Sequence, residues 1–126
     1  MIVIDTSLLV DALTGLKRSG PAIRSALAEG EAILLPALVL YEWLRGPRLS
    51  EELAAQESLF PAASAIPFDK EEAIVSADLY RIVRRARTRE VDLAIAACAL
   101  VRGARLCTLN HADFQDVPGI RLYGLR

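Results

Sequence analysis

Apolar residues in this chain fall into two patterns. Short unbroken runs read as buried strands, and stretches with an apolar residue at every third or fourth position read as helices. Met1 to Ile4 is the first short run, and with no polar face it suits the inside of a parallel sheet. Asp5-Thr6-Ser7 caps a helix from Leu8 to about Leu13. After the loop from Gly15 to Gly20, Pro21 opens a second helix through Ala28, closed by Gly30. Ala32 to Leu35 is a second strand. Pro36 then begins a helix through Arg45, stopped by Gly46-Pro47. Ser50 to Phe60 is helical, with Leu53 and Leu59 facing inward, and Ala65 to Pro67 reads as a short third strand. Asp69 and Glu72 form a capping box for a helix to about Arg87, with Ala73, Ala77, Tyr80 and Val83 as its apolar stripe. The last helix, Val91 to Arg102, is apolar almost all round and therefore central, and Gly103 ends it. Arg105 to Leu109 is a strand, and Ile120 to Tyr123 reads as an edge strand. Strands alternating with helices predict an α/β domain, one unit over residues 1–126, with a central, mainly parallel sheet flanked by helices.

Four acids interrupt this apolar pattern. Asp5 ends the first strand, Glu42 lies inside Leu38-Val39-Leu40-Tyr41-Glu42-Trp43-Leu44, Asp92 precedes Leu93 to Val101, and Asp113 follows the strand from Arg105. A carboxylate beside buried apolar residues is costly unless paired or bound to a cation. Open parallel sheets bind ligands beyond the carboxyl ends of their strands. Asp5, Asn110 and Asp113 sit at that edge by topology. Glu42 and Asp92 reach it if the helix of Glu42 begins there and Asp92 lies in the first turn of its own helix. Magnesium takes one or two carboxylates, substrate phosphate and several waters. A metal in such a pocket lowers the pKa of water and neutralises charge on a phosphate, so phosphodiester hydrolysis is the leading chemistry. The single histidine, His111, reads as a solvated loop residue, and no Ser-His-Asp or Cys-His system is evident. Thr6, Ser7 and Thr108 are hydroxyls placed to orient carboxylates or waters, and Asn110 could hydrogen-bond Asp5 or a phosphate. Each acid alone also has a plain reading, as a cap, a surface residue, a helix-dipole partner or a turn residue. Their gathering at one place is what separates the two.

Composition changes this picture little. A 53% hydrophobic chain with mean hydropathy +0.32 has a generous core. Its longest charge-free apolar runs fall well short of the roughly 20 residues of a spanning helix. No basic region precedes Asp5, so no signal peptide is expected and a cytoplasmic location follows. Cys98 and Cys107 have no metal or redox spacing and read as reduced core residues. A net charge of −1 argues against bulk polyanion binding, but Arg81, Arg84, Arg85, Arg87 and Arg89 crowd one stretch. That run is either a solvated helix face or a salt-sensitive phosphate surface. Trp43 reads as a core or partner contact. The apolar Leu38, Val39, Tyr41, Trp43 and Leu44 exceed what one helix face needs, which leaves some for an interface or for the helix at Ser50 to cover.

Four segments together resemble a known family. Val3-Ile4-Asp5-Thr6-Ser7, Glu42 in its helix, Asp92-Leu93-Ala94-Ile95-Ala96-Ala97, and Thr108-Leu109-Asn110-His111-Ala112-Asp113-Phe114 look like the signatures of PIN-domain nucleases. Their order and separation resemble VapC-type toxins of toxin–antitoxin pairs. The resemblance implies a three-layer PIN fold and a Mg2+- or Mn2+-dependent ribonuclease acting on RNA. It also implies a homodimer and inhibition by a small antitoxin that binds operator DNA. Carried over, Asp5, Glu42, Asp92 and Asp113 form the acidic, metal-holding cluster, supported by Thr6 or Ser7 and by Asn110. One segment departs from the family pattern: where many relatives place a Gly or an acid shortly before the third acid, this chain has Arg87-Thr88-Arg89-Glu90-Val91. Receiver-type and haloacid-dehalogenase-type phosphate chemistries fit poorly, because Thr6 and Ser7 stand where each needs a further acid. The competing reading is a PIN-like module that binds RNA or protein without cutting.

Overall fold

Three consecutive β-branched residues open the chain in extended form as β1 (Ile2–Ile4), and all three are buried. Because successive strand side chains point to opposite faces, a strand buried at every residue must be covered on both. The computed structural model describes residues 1–124. In it β1 is the middle of a parallel sheet ordered β2-β1-β3, with β2 at Ile33–Leu34 and β3 at Arg105–Cys107. Ile2 pairs with Ile33 on one side and with Arg105 on the other. The connection from β1 therefore runs to one side, to β2, and the connection from β2 crosses back over β1 to β3 on the other. That change of direction opens a crevice at the carboxyl ends of the strands.

Among the described residues six α-helices accompany the sheet. They are α1 (Thr6–Leu13), α2 (Gly20–Ala28), α3 (Ala37–Arg45), α4 (Ser50–Leu59), α5 (Lys70–Ile82) and α6 (Glu90–Arg102). Helix α6 is central as its sequence predicts: Leu93 to Ala99 are all buried, and it packs on β1, β3, α3 and α5. Gly103 closes it in the left-handed region at φ 62°, where a residue without Cβ is favoured. Trp43, Leu8, Ile95 and Phe114 are among the largest fully buried side chains. Among the described residues no helix is long and apolar enough to cross a membrane.

The structure corrects several expectations. The segments at Ala65 to Pro67 and Ile120 to Tyr123 contribute only single parallel bridges, Pro36 with Ile66 and Leu106 with Leu122. The third strand stops at Cys107, two residues early, because Thr108 turns into the loop that follows. Leu53 is exposed, and buried Gln56 takes the inward place on α4, its amide donating to the Phe60 carbonyl. Helix α5 ends at Ile82 and not near Arg87. Val83 is extended, Arg85 is left-handed at φ 52°, and Ala86–Thr88 form a separate turn. The stripe on α5 is also rotated by about one residue: Glu72, Val75, Leu79 and Val83 face inward, and Ala73, Ala77 and Tyr80 are exposed. The cause is Glu72, drawn inside by two partners. One oxygen accepts from Arg102 at 2.9 Å, and the other from the Asp69 backbone N–H at 3.1 Å.

Candidate active site

Asp5 is placed by the end of β1 and by its duty as cap of α1. Its backbone N–H reaches the Cys107 carbonyl at 3.2 Å, which locks it beside β3. Its carboxylate is 4% exposed and accepts three hydrogen bonds. The Leu8 N–H (3.1 Å) and the Ser7 hydroxyl (2.8 Å) donate to Oδ1, and the buried Thr108 hydroxyl donates to Oδ2. Thr108 Oγ1 in turn accepts the Asn110 backbone N–H at 2.9 Å. The Asn110 side chain is exposed, so its part here is played by its backbone. Glu42 sits in the second turn of α3, which starts at the same edge. The Thr6 hydroxyl donates to Glu42 Oε1 at 2.5 Å, so two neighbouring hydroxyls hold two different acids. Glu42 Oε2 lies 3.4 Å from Arg45.

Asp92 occupies the first turn of α6, half-buried. Its pKa is raised first by burial and then by Asp113, Asp5 and Glu42, against a lowering influence from Arg89. The charges of the three other acids thus add to the effect of burial on this one carboxyl. Asp113 is exposed, in the one-turn helix His111–Asp113. His111 is exposed too, as a solvated loop residue would be.

Sequence reasoning missed two residues. Arg89 is not a free member of the basic run. Its side chain is 16% exposed and forms a two-pronged ion pair with Asp116, at 2.6 and 2.8 Å. Asp116, 27 residues away, carried no signal in spacing or composition. Among the described residues Arg84, Arg85 and Arg87 make no ion pair, and Arg84 and Arg85 line a cleft with Asp92 and Asp113.

A match to the PIN domain spans residues 2–120. The chain belongs to the PIN-domain family. Ribonuclease VapC19 of Mycobacterium tuberculosis is 34% identical over 123 residues, covering 96% of this chain and 98% of that protein. The DNA-bound VapBC structure from Salmonella typhimurium aligns with TM-score 0.76 at 23% identity, over 97% and 96% of the two chains. A toxin–antitoxin complex from Klebsiella pneumoniae aligns with TM-score 0.67 at 20% identity over 95% of each. At those identities the two solved structures speak for the fold alone.

In this PIN domain the side chains at this edge offer hard oxygen, from carboxylates with hydroxyls behind them, a chemistry that would suit Mg2+ or Mn2+. Among the described residues no three acid, imidazole or thiol side chains stand close enough to chelate an ion by themselves. A bound ion would therefore meet at most two of them directly and the others through water. Arg89, whose charge lowers the Asp92 pKa, is itself paired with Asp116.

The Asp92 shift has a checkable consequence. A carboxyl whose pKa is raised on folding binds its proton more tightly in the folded state. Stability therefore falls as pH rises from its ordinary value of 3.8 through the raised one, and stays lower above. The melting temperature of metal-free wild type minus that of Asp92→Asn should become more negative between about pH 4 and pH 7. A difference flat across that range would show that Asp92 is not under pressure from its neighbours.

Proposed function

We propose that this chain is a metal-dependent endoribonuclease, the toxin of a toxin–antitoxin pair acting on RNA in the cytoplasm. The observation that carries the reading is the placement of the acids: Asp5 ends β1, Glu42 is tied to its neighbour Thr6, and Asp92 in the first turn of α6 lines one cleft with Asp113. The ribonuclease name of a relative matched along nearly its whole length supports the same reaction.

Asp5, Glu42, Asp92 and Asp113 would hold Mg2+ or Mn2+ between them, some through bound water. When bound, the ion supplies a water of lowered pKa and neutralises charge on the scissile phosphate. The chain's own residues supply position. Ser7, Thr108 and the Leu8 N–H fix both Asp5 oxygens, and Thr6 fixes one oxygen of Glu42. Such outer hydrogen bonds keep carboxylates aimed and cut the entropy lost on binding. Arg84, Arg85 and Arg87 provide unpaired positive charge beside the acids for flanking phosphates, with counterion release as the driving force. An antitoxin and a second copy of the chain are the proposed protein partners. Exposed Tyr41, Leu44, Phe68 and Tyr80 give them apolar surface.

The test is cleavage of structured RNA by protein purified under denaturing conditions, freed of partner and refolded. Scission with Mg2+ or Mn2+ and none with EDTA is expected. Folded protein that cuts no RNA with either metal would favour the binding module instead.

A further inference from the structure

The Arg89 side chain makes four hydrogen bonds to three residues. As N-cap residue of α6 it lies three positions before Asp92. One guanidinium nitrogen donates to the Arg84 carbonyl at 2.9 Å and to Asp116 Oδ2 at 2.8 Å. The other donates to Asp116 Oδ1 at 2.6 Å and to the Asp113 backbone carbonyl at 2.7 Å. A planar fork with fixed donor directions thus joins three things: the turn that follows α5, the start of α6, and the exposed turn carrying Asp113.

His111–Asp113 is one exposed turn long, held on one side by the Asn110 N–H on Thr108 Oγ1 and followed by buried Phe114 and Val117. We propose that Arg89 is a positioning residue: by clamping the Asp113 carbonyl and Asp116 to the start of α6, it sets Asp113 against Asp92 for joint work on one cation. The idea rests on the acidic-site reading above. Arg89 does not itself touch RNA or ion. Its influence passes through the Asp113 backbone, so geometry matters more than charge.

Two substitutions separate geometry from charge. Arg89→Gln removes both. Arg89→Lys keeps a positive charge beside Asp92 but cannot span Asp116 and Asp113 together. Mn2+ binding, followed by the loss of the free-ion electron paramagnetic resonance signal, should weaken about tenfold in both variants. In cleavage assays kcat should fall by a similar factor while KM stays within about twofold. Amide exchange should quicken at Asp113, Phe114 and Gln115, whose N–H groups bond to Asn110 and His111, and stay unchanged at Ile2 and Asp5 in the sheet. In an Asp113→Asn background Arg89→Gln should cost no further Mn2+ affinity, because the group it positions is already gone.

Several results would overturn the proposal. One is Mn2+ affinity and kcat unchanged in both variants. Another is an Arg89→Lys protein that behaves as wild type, which would make the effect one of charge. A third is an undiminished loss on top of Asp113→Asn, and a fourth is a change in KM alone, which would make Arg89 a substrate contact. Wild-type protein that neither binds Mn2+ nor cuts RNA fails at an earlier point: the acidic-site reading then falls, and this one with it.

Discussion

Asp5→Asn should lose more than about a hundredfold in RNA cleavage and keep, or slightly raise, the stability of the metal-free protein. The loss should exceed the 10–100-fold that follows removal of an outer hydrogen-bond partner, since Asp5 is proposed to meet the ion directly. The stability result follows from the hydrogen bonds. Asn caps helices about as well as Asp. Its carbonyl oxygen can accept from Leu8 N–H and Ser7, and its amide can donate to Thr108 Oγ1, a hydroxyl able to accept. Against that near-neutral exchange stands relief of the repulsion that the Asp5 charge exerts on Asp92. Mg2+ at a hundred times its Kd should stabilise wild type by about 2.7 kcal/mol and Asp5→Asn by much less. Urea melts with and without Mg2+ measure both. A steep loss of metal-free stability would make Asp5 a structural residue; cleavage near wild-type level would remove it from the active site.

Arg102→Ala should destabilise the protein by about 3 kcal/mol, because it strands the Glu72 carboxylate inside. Glu72 is 3% exposed, and Arg102 is its only cationic partner among the described residues. The same guanidinium also donates to the Cys98 carbonyl at 3.2 Å. The melting temperature should fall by on the order of 10 °C. A second substitution should recover most of it: in Glu72→Met/Arg102→Met no charge is left buried. The pH dependence carries the opposite sign to that of Asp92. Burial pushes the Glu72 pKa up, but hydrogen bonds to its own and the Asp69 backbone N–H groups and to Arg102 leave it lower than the usual 4.5. Its contribution is therefore present in full above pH 4.5 and is lost as pH falls through the lowered value. Arg102→Ala should accordingly trail wild type most at neutral pH and least in acid. A gap independent of pH would mean that Arg102 stabilises by packing alone.

The contrast between those two carboxylates shows what could be read in the sequence. Asp5, Glu42, Asp92 and Asp113 each break an apolar run or follow a strand, and a costly acid at such a place is visible without coordinates. The strand before Asp5, the largely apolar α6 and the hydroxyls beside Asp5 were legible for the same local reasons. Glu72 was not, because a Glu at the third position of a helix reads as half of a capping box. It is that, but it is also one end of a buried pair whose other end lies 30 residues on. The rotated stripe of α5 follows from this. Its early stop was hidden as well: the Arg84 carbonyl is taken by Arg89, and that clamp depends on Asp116 being brought near by the whole fold. Periodicity reports what one segment prefers alone, and these features are agreements between segments.

The two thiols lie in the core, Cys98 on α6 and Cys107 on β3. Burial pushes the first up to about 11 and, with help from the Asp5 charge, the second up to about 12. Thiolate is the reactive form, so at neutral pH neither meets a maleimide or an iodoacetamide at a useful rate. One cysteine introduced at exposed Ala112 becomes the sole attachment point for a fluorophore or nitroxide on the natively folded chain, with both resident sulfurs left in place.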